Sequence, residues 1–163
     1  NVRRYYLLSR KYLTANPALV SDDQWKDFQE PKIVIAGMAK RIRAAYDADG
    51  HALGRVYYIT QRRAPYHPLF LLAVLNSRLI NAYFTLLFVA THLQSNYIRY
   101  NASYLEHIPL AKPTHGQEEA LVDLAQHVIA NLSYLKRGLD DEIDELVAKI
   151  YGLKPQEVDQ FIG

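Results

Sequence analysis

The run Leu69–Ala90 constrains this chain more than any other segment. It is the most apolar stretch in the sequence. Asn76, Ser77, Arg78 and Asn81 nevertheless fall in its middle, where amides and a guanidinium are costly in lipid. The run therefore reads as buried helices and not as a membrane span. Leu69, Leu72, Ala73 and Leu75 mark a short first helix, interrupted at Asn76–Ser77. Ser77 caps a second helix that runs to about Val89. Asn76 and Ser77 are both read here as capping groups.

The rest of the chain surrounds that pair with ordinary globular material. Of 163 residues, half are hydrophobic and 22 % are charged, which excludes wholesale disorder and amounts to about one domain. With no cysteine, disulfide frameworks, thiolate zinc sites and cysteine nucleophiles are all excluded. The first ten residues carry three Arg and no apolar core, so no signal-peptide pattern is expected there. A reducing compartment, the cytoplasm, fits this composition. Beginning at Asn1 without Met, the chain reads as a fragment of a longer protein.

The net charge of +2 conceals a gradient along the chain. Residues 1–63 hold 12 basic and 6 acidic groups, residues 64–113 hold 3 and 1, and residues 114–163 hold 4 and 10. The first third is thus basic and the last third acidic, which suits a polyanion partner for the basic part. The alternative is a dipolar globule with solvated faces. Thirteen Tyr against one Trp and five Phe add aromatic surface suited to binding, although Tyr also favours strands.

Local patterns predict an α+β chain with a β-rich N-terminal half of antiparallel strands, then packed helices and a C-terminal helical hairpin. Strands are expected at Arg3–Leu8, Lys32–Ala36, Lys40–Tyr46 and Arg55–Thr60, with a short extended piece at Asn96–Asn101. Ser21 starts a helix that ends before Pro31, Gly37 permits a bend, and Asp47–Gly50 forms a turn. Ser103–His107 allows one helical turn. Lys112–Thr114 is a linker candidate, dividing a core over 1–113 from a bracing helical segment over 114–163. Apolar residues three and four apart predict helices from Thr114 to about Lys136 and from Leu139 to Tyr151, separated by Gly138 and closed by Gly152. Lys154–Pro155 opens a last short helix.

No catalytic constellation emerges. GxxxxGK[ST], GxGxxG and HExxH are absent, and Asn16-Pro17-Ala18-Leu19 is not the Asn/Asp-Pro-Pro-aromatic motif of amino-methyltransferases. The turn at Asp47 would put Ala45 and Val56 at calcium-ligand positions, so it is no EF-hand. The six His lack metal-ligand spacing with a partner carboxylate, and Ser9, Ser77 and Ser103 lack an elbow motif.

Four ordered segments resemble one family. They are Pro31-Lys-Ile-Val-Ile, Arg41-Ile-Arg-Ala-Ala-Tyr-Asp with its Asp-Gly turn, the run LLAVLNSRLINAYF from Leu71, and YLEHIPL from Tyr104. EIDELV from Glu142 and IYGL from Ile150 follow. Together they resemble the C-terminal TaqI-like specificity domain of adenine-specific DNA methyltransferases, a module also found in fused restriction–modification enzymes. The resemblance implies a DNA target-recognition domain without catalytic or cofactor residues of its own. S-adenosylmethionine would bind a separate domain upstream, and double-stranded DNA and that domain would be the partners. The C-terminal hairpin also resembles the spacer helices of type I specificity subunits.

A DNA reader needs phosphate contacts for affinity and base-edge contacts for sequence. Arg41 and Arg43, two apart on the expected strand, would point the same way, and Arg can bind guanine in a bidentate manner. Lys40, Arg55, Arg62 and Arg63 suit phosphates, and Tyr97 with Arg99 and Tyr100 forms a second aromatic–basic cluster. Against this, Arg41 and Arg43 can be the solvated face of an edge strand, and Tyr97 and Tyr100 can be packing groups. The acidic C-terminal helices repel DNA and are expected to face away from it. A second reading makes the chain a helical interaction or dimerisation module with an incidental basic face.

Overall fold

The computed structural model describes residues 21–51, 56–61, 64–87, 92–93, 97–131 and 137–162. The strand expected at Arg3–Leu8 lies outside them. In chain order the elements are α1 (Asp22–Gln29), β1 (Lys32–Ala36), β2 (Met38–Ala39), β3 (Ala44–Asp47) and β4 (Val56–Thr60). Then come α2 (Pro68–Asn76), α3 (Arg78–Leu87), β5 (His92–Leu93), β6 (Tyr97–Arg99) and α4 (Ala102–Leu105). Three further helices complete it: α5 (His115–Ala130), α6 (Arg137–Ile150) and α7 (Pro155–Ile162). The α+β expectation holds, with antiparallel strands first and packed helices after.

Among the described residues two three-stranded antiparallel sheets form, ordered β3-β1-β4 and β2-β6-β5. Strand β1 is central to the first. Ile33 pairs with Tyr46 and Ile59, and Ile35 with Ala44 and Tyr57, so one face is apolar and meets the main core. On the opposite face Tyr58 meets Phe28 of α1 edge-on, with ring centroids 5.8 Å apart, and its hydroxyl donates to Asp27 at 3.3 Å. Tyr57 and Tyr58 therefore pack on opposite faces, as strand alternation requires. The Ser21 cap of α1 is a full capping box: Gln24 N–H donates to Ser21 Oγ, and Ser21 N–H donates to Gln24 Oε1.

The strand expected at Lys40–Tyr46 is a correction. Only Ala44–Asp47 pairs with β1, and Lys40–Arg43 lies outside the sheet ladders. The bend at Gly37 sends Met38–Ala39 into the second sheet, so the chain must cross back between sheets before it reaches Ala44. Alternation survives without the strand: Ile42 is buried while Arg41 and Arg43 are exposed.

Helix α2 is the centre of the core. Eight of its nine residues, Pro68 to Leu75, are buried, as expected for a helix that is apolar all round. The α2–α3 pair bends by 61° at Ser77, and no single described helix is long and apolar enough to cross a membrane. Ser77 Oγ accepts from Ile80 N–H at 3.3 Å, so the predicted cap of α3 is present. Helix α5 packs on α2 and α6, and Leu121, Ala125 and Val147 join the same core as Ile33 and Phe70. Gly138 does not separate the two helices, since α6 begins at Arg137 and takes Gly138 into its first turn. Gly152, at φ +72°, ends α6 in a Schellman closure: Leu153 N–H donates to Ala148 O at 2.9 Å and Gly152 N–H to Lys149 O at 3.1 Å.

One buried ion pair ties α1 to the first sheet. The Lys32 ammonium, 1 % exposed, donates to Phe28 O at 2.8 Å and Glu30 O at 3.2 Å, and lies 2.7 Å from Asp47 Oδ2. All three ammonium hydrogens are thus used. Asp47 also accepts from His51 N–H at 2.7 Å and meets His51 Nδ1 at 2.7 Å. Burial pushes the Asp47 carboxyl up, but the hydrogen bonds from Lys32 and His51 outweigh it and hold the group at about 2.

Candidate nucleic-acid interface

The second sheet presents its exposed side chains on one face. Ala39 and Ile98 are paired and buried, whereas Met38, Tyr97 and Arg99 are exposed and Met38 sits opposite Arg99. Just beyond β2, the Lys40 ammonium lies 5.8 Å from the centre of the Tyr97 ring, within cation–π range. Folding thus brings Lys40, Tyr97 and Arg99 together from positions nearly sixty residues apart in the chain. Tyr100 belongs elsewhere. Its ring is buried against Phe84 at 5.2 Å, its carbonyl accepts from Tyr57 Oη at 3.0 Å, and its hydroxyl has no hydrogen-bond partner among the described residues. Burial pushes the Tyr100 phenol up to about 12 against the opposing pull of Arg43, whose positive field reaches this side of the core.

Arg41 and Arg43 follow directly on Lys40 and are both exposed. The backbone that carries them is held from two sides. Ala36 N–H donates to Arg43 O at 3.0 Å from the sheet side. On the helix side, Ile42 N–H donates to Asn81 Oδ1 at 2.6 Å, and Ala44 N–H donates to Asn76 Oδ1 at 3.0 Å. Asn76 Nδ2 returns a bond to Ala44 O at 3.0 Å and another to Leu72 O at 3.0 Å. Asn81 Nδ2 donates to Ser77 O at 2.9 Å and Leu75 O at 3.4 Å. Asn76 is therefore not a cap. Its amide covers the outer edge of β3, in the way a neighbouring strand would.

Arg41 and Arg43 also line a groove of about 420 Å³ whose far wall comes from α5 and α6, including Val128, Asp140, Asp141 and Asp144. Acidic side chains of α6 thus stand across this groove from Arg41 and Arg43. They are paired with Arg78 at the start of α3. Its Nε lies 2.6 Å from Asp144 Oδ2, its backbone N–H donates to Asp144 Oδ1 at 2.7 Å, and Asp141 and Asp159 lie at 3.6 and 3.5 Å. These bonds tie α6, at Asp141 and Asp144, and α7, at Asp159, to the start of α3. A phosphate backbone would thus meet Lys40, Tyr97 and Arg99 on open surface, while the groove beside Arg41 and Arg43 carries fixed negative charge on its other side.

Arg55, Arg62 and Arg63 lie outside the described residues. Residue-by-residue reading of the sequence missed Asn76 and Asn81 as supports of the Arg41–Arg43 segment. Their signal was present: two amides inside an otherwise apolar run have to satisfy something, and here it is the backbone on either side of Arg43.

The model of the TaqI-like C-terminal specificity domain matches residues 1–110, about two thirds of the chain. The chain belongs to this family, whose domains recognise DNA targets for methyltransferases and do not themselves catalyse. No curated protein sequence matches the chain.

Proposed function

We propose that this domain reads duplex DNA for an adenine-specific methyltransferase, alone or fused to a restriction nuclease in a type II enzyme. A domain upstream in the same polypeptide would bind S-adenosylmethionine and transfer the methyl group, in the cytoplasm. The observation that carries the reading is the clustering of Lys40, Tyr97 and Arg99 on one open face beside Arg41 and Arg43, within a chain of the specificity-domain family. Lys40 and Arg99 take phosphates, with the Tyr97 ring between them as a platform. Arg41 and Arg43, on a segment held at both edges, take base edges. Arg55, Arg62 and Arg63 add phosphate contacts from the same basic third of the chain.

Binding should therefore weaken steeply with salt, since each neutralised phosphate releases condensed counterions. Replacing Lys40 or Arg99 by Ala is expected to lower the slope of log affinity against log salt by about one each. Arg43→Ala is expected to cost about 1–3 kcal/mol on the preferred site and to relax its sequence. Selection from a randomised duplex pool, followed by salt-titrated fluorescence anisotropy, measures all three. Salt-independent binding, or slopes unchanged in Lys40→Ala and Arg99→Ala, would reject the interface.

A further inference from the structure

We propose that Asn76 and Asn81 are positioning residues for sequence discrimination, acting on DNA only through the Arg41–Arg43 segment whose backbone they hold. The inference rests on the reading of Arg43 as a DNA contact. It adds how the contact is aimed.

Residues Lys40 to Arg43 cross between two sheets and, among the described residues, have no strand partner on the outer side. A crossing segment of this kind should be mobile, and a mobile Arg reads bases poorly because its ordering entropy is lost on binding. Here the two N–H groups that flank Arg43, those of Ile42 and Ala44, are each taken by a side-chain amide of the α2–α3 corner at 2.6 and 3.0 Å. The amides are themselves anchored. Asn76 bonds Leu72 O, and Asn81 bonds Leu75 O and Ser77 O, so each is tied to the most buried helix of the fold or to the corner that ends it. The Ile42 side chain, 1 % exposed, plugs the core between the two Arg. Arg43 is thus fixed from the sheet by Ala36, from below by Ile42 and from the helices by two amides, with its guanidinium left exposed. This is preorganisation of a binding group by supports that never touch the ligand.

A double-mutant cycle on the full chain tests this, with the selected duplex as probe. Asn81→Ala should weaken binding several-fold when Arg43 is present and have little effect when Arg43 is already Ala. The coupling should reach at least about threefold, beyond the scatter seen for independent sites. Hydrogen exchange supplies a local readout: Asn81→Ala should speed exchange at the Ile42 amide while Ile33 and Val74 stay protected. If Asn81→Ala does not fold, the same cycle with Asn76→Ala, read at the Ala44 amide, decides the matter. Equal losses from the Asn variant in both backgrounds overturn the positioning role and leave the DNA reading intact. An Arg43→Ala variant that binds as well as the parent overturns the DNA reading of Arg43, and the positioning role with it.

Discussion

Lys32→Met is expected to cost about 3–5 kcal/mol, the range for removing one partner of a buried ion pair. The side chain is 1 % exposed and makes three contacts, to the carbonyls of Phe28 and Glu30 and to Asp47. Met fills the space but leaves those two carbonyls without their donor and the Asp47 carboxylate without its cation. The loss should appear as a lower urea midpoint. Adding Asp47→Asn should recover part of it, because the stranded charge is then gone while an acceptor remains for His51. A single-variant loss of no more than about 0.5 kcal/mol, the level of an ordinary surface change, would show that the pair does not hold α1 to the sheet.

The same pair sets an acid limit. The Asp47 carboxyl lies at about 2 in the fold against 3.8 for an unperturbed group. A lowered carboxylate pKa means that the folded state binds its proton less readily than the unfolded chain does. Its contribution is therefore complete above about pH 4 and is lost as pH falls toward 2, and it amounts to about 2 kcal/mol. Acid titration of stability in the parent and in Asp47→Asn should differ within that window, and the difference should vanish below it.

Gly50→Ala is the second large effect. Gly50 sits at φ +72°, where a Cβ is strained, and an added Cβ would lie 2.4 Å from the Gln29 carbonyl oxygen. That oxygen belongs to the backbone at the end of α1, and the neighbouring carbonyls of Phe28 and Glu30 are held by Lys32, so it cannot swing aside as a side chain would. The strain and the clash together are expected to cost about 3 kcal/mol or more, enough to deplete the folded state of a marginal domain. Gly152→Ala is the matched control. It has the same φ, but among the described residues nothing lies within 4 Å of its added Cβ. It should cost only the backbone term, about 1–2 kcal/mol. Equal thermal shifts in the two variants would contradict the close approach of the turn to α1.

Much of this architecture is legible in the sequence. Ser21 with Gln24 announces a capped helix, KIVIA a buried strand, Asp47–Gly50 a turn, and the interrupted run from Leu69 two helices with a corner at Ser77. These signals are local: caps, turn chemistry and side-chain period act over a few residues, so a linear reading suffices. Where a local pattern was satisfied by a nonlocal partner, the reading failed. Arg41, Ile42 and Arg43 alternate like a strand, yet the partner of the Ile42 backbone is Asn81, 39 residues away. Asn76 looks like a cap and instead closes the edge of β3, 32 residues back.

Charge followed the same division. By itself the sequence determined that basic groups crowd the first third and acidic groups the last, and that Lys40, Arg41, Arg43, Arg55, Arg62, Arg63, Tyr97 and Arg99 carry the chemistry a DNA contact needs. Only the tertiary structure decided that Lys40 lies within cation–π range of Tyr97, that Tyr100 is core while Tyr97 is surface, and that Arg78 pairs with Asp141, Asp144 and Asp159, the first two across a groove from Arg41 and Arg43. The reason is physical. Whether a side chain is a candidate is a matter of its own chemistry. Whether it is free to bind depends on which distant group has already claimed it, and that is settled only when the chain closes on itself.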